Sequence, residues 1–174
     1  MRAYLVTGNP GSGKSMVRRE LSRRGLITVD TDDLAFWEDS EGLQVEQPNA
    51  PDADWLRVHR WVWSRSQIEQ STVAAGDAVG CIFFCGIARN QSDMLALFQG
   101  VFLLLIDEET QNARLEDSTD STSPGRTEAV KQQIREGRLA FQAQMLARGA
   151  IPLDGTAAPM AVADNILAHL GICC

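Results

Sequence analysis

The segment Gly8-Asn9-Pro10-Gly11-Ser12-Gly13-Lys14-Ser15 has the residue types and spacing best suited to chemistry. It fits GxxxxGK[ST], a pattern in which glycines let backbone N–H groups converge on a phosphate without interference from Cβ atoms. The N-terminus of a following helix adds a partial positive charge. Lys14 is placed to reach the β- and γ-phosphates of a nucleoside triphosphate, and Ser15 to offer its hydroxyl to Mg²⁺. Gly8, Gly11, Ser12, Gly13, Lys14, Ser15 and the adjoining Met16 are therefore the candidate nucleotide-binding residues. A chance glycine turn is the competing reading. It would not require a strand before the loop and a helix after it, and both are expected here.

A second chemical cluster is Asp30-Thr31-Asp32-Asp33, at the end of an expected second strand. In an open α/β sheet, ligands bind beyond the carboxyl ends of the strands, so these acids belong on the side of the phosphate loop. One carboxylate there can take the proton of an attacking hydroxyl, and another can hold the water shell of Mg²⁺. Helix capping by Asp32 or Asp33, ahead of a helix through Phe36, is the structural alternative.

The elements that must position these groups follow from hydropathy. Apolar runs at 3–7, 26–30, 78–85, 101–106 and 150–153 alternate with helical patterns. That predicts an α/β fold of three layers, a five-stranded parallel sheet with helices on both faces. Helices are expected over about 14–24, 54–75, 93–98, 110–116, 128–148 and 159–170, the first ending at Gly25. Residues 39–53 form a polar, proline-bearing loop. The stretch 117–126 has no apolar residue and reads as a short mobile lid, about 117–127, with Arg126 its one arginine. At 174 residues the whole chain is expected to be one domain.

With the loop and the Asp30-Thr31-Asp32 triplet in place, the sequence resembles the P-loop small-molecule kinases of the shikimate kinase, gluconate kinase and nucleoside monophosphate kinase-like group. The resemblance continues through 101–115 (VFLLLIDEETQNARL) and 149–167 (GAIPLDGTAAPMAVADNIL) and covers about half the chain. It implies ATP and Mg²⁺ as cofactors and transfer of the γ-phosphate to a hydroxyl of a small molecule: a nucleoside, a sugar or an antibiotic. It further implies that Asp30 supports the metal with Ser15, and that Asp32 contacts the acceptor hydroxyl as base. Arg114 would pack on adenine, and the loop bearing Ala158 would close over the base. An acceptor-binding helical region is implied over about 33–75. Gly86 and Arg89, in the loop after the third strand, would face the acceptor, with a surface role for Arg89 as the alternative.

On the long helix, Val130, Ile134, Phe141 and Met145 recur at helical spacing and mark a buried stripe, into which Arg138 falls. A buried arginine requires an anionic partner. Arg138-Leu-Ala-Phe141 also resembles the Arg-x-x-aromatic pattern whose arginine faces the active site in shikimate kinase-like enzymes, which implies a catalytic Arg138; an ion pair with an internal Asp is the alternative. Three of the four tryptophans lie between 55 and 63. Trp55, His59 and Val62 share a face if 54–75 is one helix, and Trp37 would lie on the helix after Asp32. These rings either pack the core or stack on a planar acceptor.

By letter, Leu103 to Glu108 (LLLIDE) is also the strand of a mechanical ATPase. A nucleotide-driven switch without a small-molecule acceptor is therefore the alternative function, although it leaves Asp30 and Asp32 idle. A net charge of −7 excludes broad contact with nucleic-acid phosphates or anionic membranes. No apolar run reaches the length of a membrane span, and the early glycine-rich loop does not suit a signal peptide, so a cytoplasmic monomer or homodimer is expected. Four cysteines, including the adjacent Cys173 and Cys174, are too few for a disulfide scaffold.

Overall fold

The computed structural model describes residues 2–49, 51–76, 80–117 and 128–172. The first half runs β1 (Arg2–Gly8), α1 (Lys14–Arg23), β2 (Ile27–Asp30), β3 (Ala35–Glu38), β4 (Gln44–Val45), α2 (Ala53–Val58), β5 (Arg60–Trp63) and α3 (Arg65–Ala74). The second half runs β6 (Cys81–Cys85), α4 (Gln91–Met94), β7 (Gly100–Leu105), α5 (Glu108–Glu116), α6 (Glu128–Ala147), β8 (Ile151–Asp154) and α7 (Pro159–Leu170).

Five strands form the expected parallel sheet in the order β2-β6-β1-β7-β8. The continuous apolar runs of β1, β6 and β7 occupy its centre because strands there are buried on both faces. Side chains alternate between two cores. Tyr4, Val6, Phe83, Cys85, Phe102 and Leu104 point to the face closed by Val17 and Leu21 of α1 and by Val162 and Ile166 of α7. Leu5, Ile82 and Phe84 point to the opposite face, under Trp63, Ile68, Met94 and Phe98. Met145 of α6 packs on Leu103 on that same side. The chain leaves β1 toward one edge through β2 and β6, and reaches the other through β7 and β8. The loop after β1 therefore lies at the switch point where ligands of such sheets bind.

The structure corrects the expectation for 33–75. The single Trp-rich helix over 54–75 is two short helices, α2 and α3, separated by strand β5. The region is built around a second, antiparallel sheet of order β4-β3-β5. Trp37 lies on a strand and not on a helix, and pairs directly across from Trp61. Asp33 caps no helix. Residues Thr31–Leu34 form a 3₁₀ turn capped by Asp30, whose Oδ1 accepts from the Asp32 N–H. Four-residue strands built from Trp, Phe and Val carry too few alternations to be told from a helical spacing. Their pairing with each other, and with Asn90, decides the matter. The Asn90 side chain accepts from the Trp63 N–H at 2.9 Å and donates to the Trp63 carbonyl at 3.0 Å, which extends the ladder by a side chain. The expected lid lies outside the described residues beyond Asp117, and Arg126, Cys173 and Cys174 lie outside them too. Among the described residues, no helix is long and apolar enough to cross a membrane.

Gly86 fixes how the 3₁₀ turn meets β6. A Cβ built there would stand 1.7 Å from Thr31 Oγ1, a hydroxyl that is itself buried and donates to the Cys85 carbonyl. Gly86→Ala is expected to destabilise the fold by about 1–3 kcal/mol through overpacking. Adding Thr31→Ala should recover part of the loss. Urea unfolding of the single and double variants tests this, and additive losses would contradict it.

Candidate functional site

The loop between β1 and α1 is a cradle made almost entirely of backbone. Gly11 and Gly13 have φ of 84° and 91°, in the left-handed region open to glycine. A Cβ at Gly8 would lie 2.5 Å from Ser12 Oγ and 2.8 Å from the Leu104 carbonyl. Gly13 caps α1 without a side-chain hydrogen bond, so the first N–H groups of that helix keep their positive end for an anion. Lys14 Nζ donates to the carbonyls of Gly8 and Asn9 at 2.8 and 3.1 Å, which folds the ammonium over the loop. Ser12 Oγ is buried and has no hydrogen-bond partner among the described residues. Amide, hydroxyl and ammonium donors around a space too narrow for Cβ atoms fit a polyphosphate. Ser15 and Met16 lie exposed on the first turn of α1, with the Ser15 hydroxyl available to a metal ion.

Arg114 serves the cradle from α5. Its Nη1 donates to the Gly11 carbonyl at 3.1 Å and to the Gly155 carbonyl at 2.9 Å. This ties the phosphate loop to the loop after β8 that ends at the exposed Ala158. Gln111 Nε2 adds a bond to the Pro10 carbonyl at 3.2 Å, a contribution the sequence pattern did not single out. Asp107 is the N-cap of α5, its carboxylate accepting from the Thr110 N–H at 2.7 Å. That bond holds its pKa below the usual range. The LLLIDE string thus ends in a helix cap.

The acidic cluster divides its labour. Asp30 accepts an ion pair from Arg18 of α1 at 3.0 Å. Asp32 keeps a solvent-exposed edge, but the protein mass behind it, and then the Asp30 carboxylate, push its pKa up. The Trp61 indole N–H donates to its Oδ1 at 3.4 Å and acts in the opposite direction. Burial lowers the Lys14 pKa to about 8, against the attraction of the Asp32 and Asp30 carboxylates. Cys85 beside them is a buried thiol whose pKa burial pushes up to about 12, so it stays protonated.

A cavity of about 640 Å³ opens beside the cradle. Asn9 and Pro10 line one side, Trp37, His59 and Trp61 a second, Arg89 and Gln91 a third, and Ile134 and Phe141 of α6 a fourth. Of the aromatic candidates, Trp37 and His59 reach it directly. Trp55 does not line it. It stacks on His59 with centroids 4.1 Å apart and meets Trp37 edge-on at 4.8 Å, so it braces the wall from behind. Gly86 stays buried against Thr31 and leaves the lining to Ile87 and Arg89. Trp61 belongs to the wall and to the Asp32 hydrogen bond. Only its place in the tryptophan cluster pointed to it in the sequence.

Arg138 lies where the buried stripe places it. Its Nη1 donates to the Ile106 carbonyl at 3.1 Å, sharing that oxygen with Gln142 Nε2 at 3.2 Å. The carboxylate within 4 Å is the exposed Glu108, at 3.9 Å. The guanidinium is therefore anchored by a neutral carbonyl, with charge to spare for an anion near the end of β7.

No protein-family model matches the chain, and no curated protein does. Solved structures match over nearly its full length. A sugar kinase from Janibacter sp. is 22% identical with a TM-score of 0.59, covering 99% of this chain and 95% of its own. Shikimate kinase from Acinetobacter baumannii, in complex with shikimate, is 16% identical with a TM-score of 0.61, covering 98% and 93%. Deoxyadenosine kinase from M. mycoides with bound dATP is 12% identical with a TM-score of 0.55, covering 97% and 99%. The chain has the fold of these P-loop small-molecule kinases.

The raised pKa of Asp32 carries a stability consequence. The folded pKa lies above the unfolded one, so the stabilising contribution of the protonated form is lost as pH rises through the folded pKa. At neutral pH the ionised group is therefore a net cost. Asp32→Asn is expected to raise the urea midpoint at pH 7, and the gain should vanish below the ordinary carboxylate range, about pH 3.9. A less stable Asn variant at pH 7 would show that attraction to Lys14 outweighs burial.

Proposed function

We propose that the protein is a phosphotransferase that moves the γ-phosphoryl group of ATP, bound with Mg²⁺, to a hydroxyl of a small molecule seated in the cavity. The observation that carries this reading is the position of Asp32. Its carboxylate is hydrogen-bonded to Trp61, a wall of the cavity, and interacts with Lys14, which lies over the phosphate cradle. Cradle, carboxylate and cavity thus adjoin in the order a transfer needs. The likeness to kinases that act on shikimate and on deoxyadenosine supports the same class.

When bound, Mg²⁺-ATP would supply the transferable phosphoryl group and part of the charge neutralisation. The cradle N–H groups would hold its phosphates, the Ser15 hydroxyl would hold the metal, and Asp30 would support the metal with the lone pairs that Arg18 and the Asp32 N–H leave. Asp32 orients the acceptor hydroxyl and takes its proton as the hydroxyl oxygen bonds to the γ-phosphorus. The bond from that phosphorus to the β–γ bridging oxygen breaks, and ADP leaves with the electron pair. Lys14 and Arg138 stabilise the charge that develops on the transferring group. Arg114 holds the cradle closed next to the base, and Ala158 lies in the loop that borders it. Trp37, His59 and Arg89 contact the acceptor, with Trp55 behind them.

Asp32→Asn should leave ATP binding nearly intact while phosphoryl transfer falls about 10²- to 10⁴-fold, the range of lost general-base catalysis. Asp33→Asn should cost little. Single-turnover transfer with radiolabelled ATP separates the two variants, and a dead Asp33 variant would move the base by one residue.

The lowered pKa of Lys14 predicts the pH dependence of nucleotide binding. Bound phosphate favours the charged ammonium, so the complex holds a proton that the free protein sheds above pH 8. The dissociation constant for ATP should rise by up to about tenfold per pH unit above 8. Lys14→Arg, charged throughout, should lack that rise. A flat profile for the native protein would remove Lys14 from the phosphate site.

A further inference from the structure

The chemistry of the cavity walls specifies the acceptor more narrowly, an inference that rests on the phosphotransferase reading above. We propose that the acceptor is an alcohol with an apolar, ring-bearing body and at most one negative group, and not a polyhydroxylated sugar or sugar acid.

Much of the lining is apolar. Trp37 and Trp61 come from the small antiparallel sheet, Ile134 and Phe141 from α6, and Leu56 and Ile87 from the segments between. The aromatic side is assembled before any ligand arrives. Trp37 and Trp61 are cross-strand partners with centroids 5.4 Å apart, and Trp55 fixes Trp37 from behind. Rings held in this way lose little freedom on stacking against a ligand ring. The volume of about 640 Å³ lies inside the range of about 300–1,000 Å³ that takes drug-sized molecules.

The polar groups of the lining are few; Asn9 Oδ1 is buried with no partner among the described residues, and several of the others are engaged. Gln91 accepts from Thr7 Oγ1 and the Ala88 N–H, and its Nε2 contacts Met145 sulfur. Gln144 Nε2 donates to Ser92 Oγ, and His59 Nδ1–H to the Trp55 carbonyl. Arg89 is the one Lys, Arg, Asp or Glu side chain in the lining, and its guanidinium has no hydrogen bond or ion pair among the described residues. A sugar acid presents several hydroxyls and a carboxylate, and hydroxyls buried without partners weaken binding. A ring-bearing alcohol needs few polar partners, Asp32 behind the Trp61 wall and the free Asn9 oxygen among them, and otherwise apolar surface. Arg89 matches a single anionic or carbonyl group.

Calorimetry on the full chain with 2-(2-naphthyl)ethanol and D-gluconate as probes tests the assignment, followed by transfer from radiolabelled ATP to each. The naphthyl alcohol is expected to bind at least about tenfold more tightly than gluconate. Phe141→Ala should weaken it about tenfold, with Phe141→Leu, which keeps apolar volume, losing less. If Phe141→Ala does not fold, the Leu variant and an Ile134→Glu variant provide the same comparison. Gluconate binding as tightly as the naphthyl alcohol, or accepting phosphate with the higher kcat/KM, overturns the proposal and leaves the phosphotransferase reading standing. Naphthyl alcohol binding that ignores both Phe141 and Ile134 also overturns it. Phe141-dependent binding with transfer to neither probe overturns the acceptor role together with the phosphotransferase reading, a result distinct from the others.

Discussion

The close approach of backbone to backbone at the end of β1 is the constraint on which the rest of this structure depends. A cradle of N–H groups can form only if the chain turns out of the sheet with no side chain on its inner edge. Gly8 meets that condition against Ser12 and the Leu104 carbonyl of the neighbouring strand. Gly155 meets it from the other side, where a Cβ would stand 2.9 Å from the Leu105 carbonyl and 3.1 Å from that of Ser12. The two glycines let β1, β7 and β8 deliver their carboxyl ends to one point. Arg114 then locks that point by donating to a carbonyl on each side.

Charge at the site is arranged around the same geometry. Lys14 is held by two carbonyls in a half-buried position and loses basicity as a result, while Asp32 nearby becomes harder to ionise. Each charged form is penalised by burial and partly relieved by the other. On the proposed function, a polyphosphate at Lys14 and an acceptor hydroxyl at Asp32 would supply what the protein withholds. The site is therefore less comfortable without its ligands than the apolar cores beneath it. Asp30 acts on both groups while paired directly with Arg18.

The acceptor side is built by different means. Its aromatic wall belongs to a three-stranded sheet outside the main sheet, fastened by the Asn90 side chain and by the Arg89 N–H, which donates to the Trp61 carbonyl at 2.9 Å. The loop after β6 thus carries both the cation of the cavity and the anchor of its wall. The attached sheet meets the main sheet through the 3₁₀ turn and through the Asp32–Trp61 bond.

The local residues alone determined the cradle, the five parallel strands and the helices α1, α5, α6 and α7. Each is specified within a short window: glycines before Lys14-Ser15, and apolar runs long enough to show their period. The acidic triplet was legible for the same reason, since a strand end next to the loop can only face one way. Which carboxylate is paired with Arg18, and which takes the hydrogen bond from the cavity-wall residue Trp61, was decided by tertiary structure. So was the fate of residues 35–63, where Trp37 and Trp61 meet across 24 positions of sequence that carry no local record of the pairing. The spacing of Trp55 and His59 suggested one helical face, and the two rings do stack, but the helix stops at Val58 and the chain turns into a strand. Short strands are stabilised by partners, not by their own sequence, so only the folded chain could show that the aromatic cluster is a wall.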